Sequence, residues 1–189
     1  MPHMPLSMYR NNSSHRGSCE HLPNYYILGL PRTKTVWLST VLGCRHEYYS
    51  QYKRQFTVSS VDTNPLTVPT APLIKLWRSK EDIVNSCLKC FDTPDNVADP
   101  RKFYRGFATI YMDAWSKIHC DTVFKFSDLH NPDIIKYIGK LTGVSVDTDR
   151  YMDTVIKTDN RSVTGALHLT AQAQGLTYNQ LIDRITQHG

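Results

Sequence analysis

The apolar run Tyr25-Tyr26-Ile27-Leu28-Gly29-Leu30 leads without a spacer into Pro31-Arg32-Thr33-Lys34 and then into Thr35-Val36-Trp37-Leu38-Ser39. Pro23-Asn24 bounds it on one side and Gly43 on the other. The pattern predicts a buried strand, a short polar loop, and a helix from residue 35 to about residue 42. The loop places one Arg, one Lys and two Thr hydroxyls where that helix begins. A helix N-terminus presents unpaired backbone N–H groups at the positive end of its dipole, so it suits a phosphate or sulfate group. Two readings stand side by side on the loop alone: a site for an anionic ligand such as a nucleotide, or an ordinary capping Thr beside a solvated Lys and Arg.

The rest of the chain alternates in the same way. Leu73-Ile74-Lys75-Leu76-Trp77 and Thr122-Val123-Phe124-Lys125-Phe126 read as strands, and residues 44–49 as a short strand or strand end. Helices are expected from Ser79 with Glu81 and Asp82 in the first turn, over residues 104–118, from Pro132 to about residue 141, and over residues 177–187. Residues 59–72, with three prolines and several Ser and Thr, read as loop, and so do residues 92–100. Alternating strands and helices predict a parallel sheet with right-handed crossovers. Ligands in such sheets bind at the carboxyl ends of the strands, where Arg32, Arg78 and Asp128 fall.

At 189 residues the chain fits one domain, taken here as 23–189, with 1–22 as a flexible polar arm and a candidate contact for a protein partner. The arm has no apolar segment of signal-peptide type and no run approaches a membrane span, so the expectation is a cytoplasmic protein. An odd count of five cysteines, Cys87-x-x-Cys90 among them, argues against a disulfide scaffold, and no second pair stands at a zinc spacing. A net charge of +5 suits an anion-lined pocket better than a nucleic-acid surface. Tyr48, Tyr49, Tyr52, Lys53 and Arg54 form the one aromatic-basic cluster.

Arg78 at a strand end, with Ser86 two turns into the next helix, makes a second candidate for a phosphate monoester, since a guanidinium fork and a hydroxyl match its oxygens. With these residues in view, Pro31-Arg32-Thr33-x-Thr35-x-Trp37-Leu38 resembles the P-[KR]-[ST]-G-T-[TS]-[WL]-L loop of sulfotransferases that use 3′-phosphoadenosine 5′-phosphosulfate (PAPS). Arg78 with Asp82 and Ser86 is similar to that family's R-D-P-x-D-x-x-x-S element. Phe124-Lys125-Phe126-Ser127-Asp128-Leu129, then Pro132 and residues 138–143, is similar to its late Y-E-D-L…P…I…L-G stretch. The match covers residues 25–145 and is nearest to short bacterial and bacteriophage sulfotransferase-like proteins. Lys34 stands where the family keeps a loop Gly, Val36 replaces a hydroxyl residue, and Ser79-Lys80 replaces Asp-Pro.

The resemblance implies a three-layer P-loop NTPase-like α/β fold with a central, mainly parallel sheet. It implies PAPS as donor, no metal, and an unknown acceptor hydroxyl or amine. Arg32, Thr33, Lys34, Thr35 and Trp37 would hold the 5′-phosphosulfate, and Arg78 and Ser86 the 3′-phosphate. Arg161, in Thr158-Asp159-Asn160-Arg161-Ser162, would close over the donor. Arg32 would also neutralise the leaving phosphate. His46 and Glu47 are the candidate bases, with Asp62 in reserve. Two rivals remain: a catalytically degenerate fold that binds a nucleotide or a protein, and a P-loop nucleotide kinase. The kinase signature is incomplete, because Gly29-Leu30-Pro31-Arg32-Thr33-Lys34-Thr35 lacks the second Gly and the full spacing.

Overall fold

The computed structural model describes residues 25–47, 59–66, 71–147, 151 and 161–189. The expectations for the arm and for the cluster around Tyr48 and Arg54 lie outside the described residues. The strands are β1 (Tyr26–Gly29), β2 (Arg45–His46), β3 (Ser60–Asp62), β4 (Ile74–Trp77), β5 (Phe91–Asp92), β6 (Val123–Lys125) and β7 (Arg161–Ser162). The α-helices are α1 (Thr35–Leu42), α2 (Lys80–Cys90), α3 (Pro100–Lys117), α4 (Pro132–Thr142), α5 (Thr164–Ala173) and α6 (Tyr178–Gln187), with a 3₁₀ turn over Phe126–His130.

Five strands form one parallel sheet in the order β2-β3-β1-β4-β6, as the alternation of strands and helices predicts. β1 lies in the middle and all four of its residues are buried, which is what an apolar run without polar alternation requires. From β1 the chain crosses to the β2 edge, returns to β3, and then passes β1 to reach β4 and β6. The connections therefore diverge at the carboxyl end of β1, where open α/β sheets leave a crevice. The loop that follows β1 opens there.

Helices cover both faces of the sheet. On one face Ile27, Val61, Ile74, Leu76 and Phe124 pack with Leu38 and Leu42 of α1 and with Ile135 and Ile138 of α4. On the other, Tyr26 and Leu28 meet Trp115 and Ile118 at the end of α3, which shares a helical core with α2, α5 and α6. Side-chain caps fix where most of the helices start. Ser79 accepts from the Asp82 N–H, Asp99 from Lys102, Asn131 from Asp133 and Thr177 from Gln180, and Pro100 and Pro132 stand in the first turn. Gly43 and Gly143 end α1 and α4 in the left-handed conformation that glycine enters without steric cost.

Lys75 is buried inside this apolar frame. It sits on β4 with its ammonium donating to the Trp115 and Ile118 carbonyls, each at 2.7 Å, and lying 3.6 Å from the centre of the Trp115 ring. The cation thus stands at the negative end of the α3 dipole, where it satisfies carbonyls that a helix end leaves open.

Three parts of the fold differ from the sequence expectation. Residues 60–62 are not loop but strand β3, paired with β1 and β2. Their polar residues disguise them: the Ser60 hydroxyl donates to the Asp62 carboxylate, so the pair is satisfied inside the sheet. Phe91–Asp92, at the edge of a stretch read as loop, pairs in parallel with Arg161–Ser162, where no strand is expected from the sequence. Helix α5 had no counterpart in the sequence reading.

Candidate anion-binding site

Gly29 ends β1 because nothing larger fits. A Cβ at this position would run into Thr33 Oγ1 and Thr35 Cγ2, and it would lie 3.6 Å from Leu76. The loop then folds back on itself. The Thr33 hydroxyl donates to the Leu30 carbonyl at 2.6 Å, and the Leu30 N–H donates to the Leu76 carbonyl of β4 at 3.0 Å. Arg32 (φ 65°) and Lys34 (φ 60°) are both left-handed. Lys34 therefore takes the backbone conformation that a glycine would have supplied, and the side chain in its place carries a charge. Holding a non-glycine residue there costs roughly 1–2 kcal/mol. Lys34 is the N-cap of α1 and provides no side-chain hydrogen bond, so the N–H groups ahead of Leu38 face the loop without an intrahelical acceptor.

Three cations converge on this loop from β1, β4 and the head of α1. The Arg32 guanidinium donates to Ser86 Oγ of α2 and to Cys90 Sγ, each at 3.1 Å, and lies 5.3 Å from the Phe91 ring centre. Arg78, just past β4, donates to the Arg32 carbonyl and stacks on Phe126 at 4.0 Å, while its Nε is buried with no partner among the described residues. Lys34 Nζ donates to His130 Nδ1 at 3.4 Å and lies 5.2 Å from the Trp37 ring and 5.6 Å from Phe126. Among the described residues no carboxylate stands within ion-pair distance of Arg32, Lys34 or Arg78. Burial draws both Lys34 and Arg78 below their ordinary values; at Arg78 the Asp82 carboxylate works in the opposite direction and the Arg32 charge adds to the lowering. Cations arranged this way gain from a bound anion that restores the opposite charge.

The loop and Arg78-Ser86 motifs, 54 positions apart at Arg32 and Ser86, thus form one cluster. Within it Ser86 is held by Arg32 rather than by Arg78. Thr33 is fully buried and supports the loop backbone, leaving its hydroxyl already spent on Leu30. Trp37 packs edge-on against Tyr151 at 5.0 Å, which fixes the ring beside Lys34. The backbone of Arg161 is brought next to Phe91, on the Arg32 side of the cluster. Asp82 is occupied in capping α2 through Ser79, and Asp128 accepts from the Lys125 N–H at 2.7 Å.

His46 and Glu47 flank the same loop from β2. His46 Nε2 lies 3.1 Å from Thr35 Oγ1 and 3.6 Å from Glu47 Oε1, so hydroxyl and carboxylate share one ring nitrogen. Glu47 Oε1 also accepts from the Thr63 N–H at 2.8 Å and from the Thr63 hydroxyl. Asp62 is fully buried at the end of β3, where Ser60 donates to it. In the C-x-x-C pair the Cys87 thiol is buried and pushed up to about 12, whereas Cys90 lies against Arg32.

Sequence reasoning missed His130, Cys90 and the rings of Phe91 and Phe126. The signal for His130 and Phe126 was present in their positions, with Phe126 at the last residue of a predicted strand and His130 just past it, at the sheet edge already assigned to the ligand.

Lys34→Gly separates strain from charge. It relieves about 1–2 kcal/mol of left-handed strain and returns roughly 0.5–1 kcal/mol through the freer unfolded chain. Stability in denaturant melts is expected to stay level or rise by up to about 1.5 kcal/mol, while sulfate binding weakens several-fold. A loss of stability would mean that the contacts to His130 and the rings outweigh the backbone strain. A search of family models, of characterised proteins and of solved structures finds no match to this chain, so the site stands on its own geometry.

Proposed function

We propose that the chain binds PAPS at the loop after β1 and transfers its sulfuryl group to an acceptor hydroxyl or amine, within a P-loop-like α/β fold. The observation that carries the reading is the convergence of Arg32, Lys34 and Arg78, none paired with a carboxylate among the described residues, on the uncapped start of α1. The central parallel sheet with its divergence point beside this loop supports the same placement.

In this reading Lys34, Thr35 and the α1 N–H groups hold the 5′-phosphosulfate, and Arg78 with the Arg32-Ser86 pair holds the 3′-phosphate. The acceptor oxygen or nitrogen attacks sulfur as the bond to the bridging phosphate oxygen breaks. The acceptor's proton passes to Glu47 or His46, and adenosine 3′,5′-bisphosphate leaves with its new charge facing Arg32 and Lys34. Catalysis then rests on positioning and on charge already in place around the leaving group.

One observation favours the binding-only alternative. Glu47 Oε1, the carboxylate oxygen nearest His46, already accepts from the Thr63 N–H and hydroxyl, which ties it to the end of β3. Thermal unfolding with adenosine 3′,5′-bisphosphate, PAPS, ATP with Mg²⁺ and AMP tests donor choice. At about 100 times its Kd a ligand stabilises by roughly 2.7 kcal/mol, and only the 3′-phosphorylated nucleotides are expected to do so. A shift with ATP and Mg²⁺ alone would favour the kinase reading, and no shift with any of them would overturn the donor site. Turnover of PAPS with an acceptor then separates enzyme from binder.

A further inference from the structure

His130 is an exposed imidazole whose Nδ1 accepts from the ammonium of Lys34 at 3.4 Å, and its ring stands edge-on to Phe126 at 5.6 Å. An ammonium has no acceptor lone pair, so with Lys34 charged the hydrogen bond is made in the tautomer whose Nδ1 carries no proton. The charges around it are of both signs. Lys34 faces it from the head of α1, and Arg78 stacks on the far partner of the shared ring, Phe126. Asp128 lies on its own turn with its carboxylate engaged by Lys125 N–H and Ser127 Oγ, and Asp133 in the first turn of α4 pairs with Lys136 at 3.8 Å. The charge in contact with the ring is therefore the Lys34 cation.

Resting on the anion site proposed above, we infer that His130 is a fourth, proton-gated cation of that site, taking up a proton when an anion binds at Lys34. A dianion at Lys34 reverses the field at the ring. Lys34 turns its donors to the anion, the repulsion on an imidazolium disappears, and the charged ring gains an attractive partner. A group whose pKa is higher in the bound than in the free state adds affinity that is fully present below the free value. That affinity is lost as pH rises through the bound value. Imidazoles titrate between about pH 5 and pH 8, so the gate operates near neutrality. A rise of about one pKa unit makes binding about tenfold tighter on the acid side.

Inorganic sulfate is the probe, because it stays a dianion throughout this range and contributes no titration of its own. Calorimetry of sulfate binding in two buffers of different ionisation enthalpy counts the protons taken up. The wild-type protein is expected to take up part of a proton near neutral pH and to bind several-fold tighter at about pH 5.5 than at about pH 8. His130→Gln is expected to abolish both effects, keeping the alkaline affinity, while replacing the exposed His119, which pairs with Asp121 at 3.1 Å, retains them. Binding without proton uptake, or uptake that persists in His130→Gln and vanishes in His46→Gln, overturns the inference and leaves the anion site standing. Absence of sulfate and bisphosphate binding at every pH removes the anion site itself, and the gate with it.

Discussion

Gly29→Ala is expected to destabilise the protein by about 2–3 kcal/mol, or roughly 4–12 °C in melting temperature, and to weaken anion binding at least tenfold. A methyl group here has nowhere to go. It meets Thr33 Oγ1 and Thr35 Cγ2, two stiff β-branched side chains that are both buried. Turning Thr33 away breaks its 2.6 Å bond to the Leu30 carbonyl, the bond that closes the loop. Turning Thr35 away breaks its contact with His46 at the start of α1. Either escape displaces the backbone on which Arg32 and Lys34 are mounted, so binding falls along with stability. The double variant Gly29→Ala/Thr35→Ser removes the methyl on one side of the clash and keeps the hydroxyl. It should recover part of both losses. Chemical denaturation and sulfate titration of the two variants check this, and a Gly29→Ala protein that melts and binds like the wild type would show that the loop is not held as described.

The layout of this site was legible because its parts obey local rules. The run Tyr25 to Leu30 is apolar throughout, and β1 is buried throughout. Thr35 and Gly43 bracket α1 as read, and Ser79, Pro132 and Thr177 mark helix starts that the structure keeps. The carboxyl-edge rule brought Arg32 and Arg78 together before any coordinates did. What failed was anything settled by tertiary pairing. β3 was hidden because Ser60 and Asp62 satisfy each other, so a polar triplet could enter the sheet beside β1. β5 and β7 are two residues each and exist only through one another, 70 positions apart at Phe91 and Arg161. Lys75 gave no hint that a helix end would meet its ammonium inside the core. Within the site, the conformation of Lys34 was the open question. The left-handed value is imposed by the loop's closure through Thr33 and by the Arg78 contact to the Arg32 carbonyl, neither of which is local to Lys34.

Arg78→Ala is expected to lower affinity for adenosine 3′,5′-bisphosphate by two to three orders of magnitude and to erase preference for it over AMP. Arg78 acts twice. Its half-buried guanidinium is one of three cations at the site, and truncating a hydrogen-bonded charge that a ligand would desolvate costs about 2–5 kcal/mol of binding. Its Nη1 also holds the Arg32 carbonyl, so its removal releases the left-handed turn and lets Arg32 leave Ser86. Its buried Nε, without a partner among the described residues, is a donor that a phosphate oxygen would satisfy. Arg78→Lys separates the two roles. It retains a charge over Phe126 but loses the planar fork, so the affinity should fall between wild type and Ala, with selectivity reduced but present. Calorimetric titration of both nucleotides on the three proteins, with denaturant melts to confirm folding, provides the comparison. Should Arg78→Ala fold normally and keep its preference for the 3′-phosphate, recognition of that group would have to lie elsewhere. The pairing of Arg32 with Ser86 would then be a structural tie between β1 and α2 rather than half of a phosphate clamp.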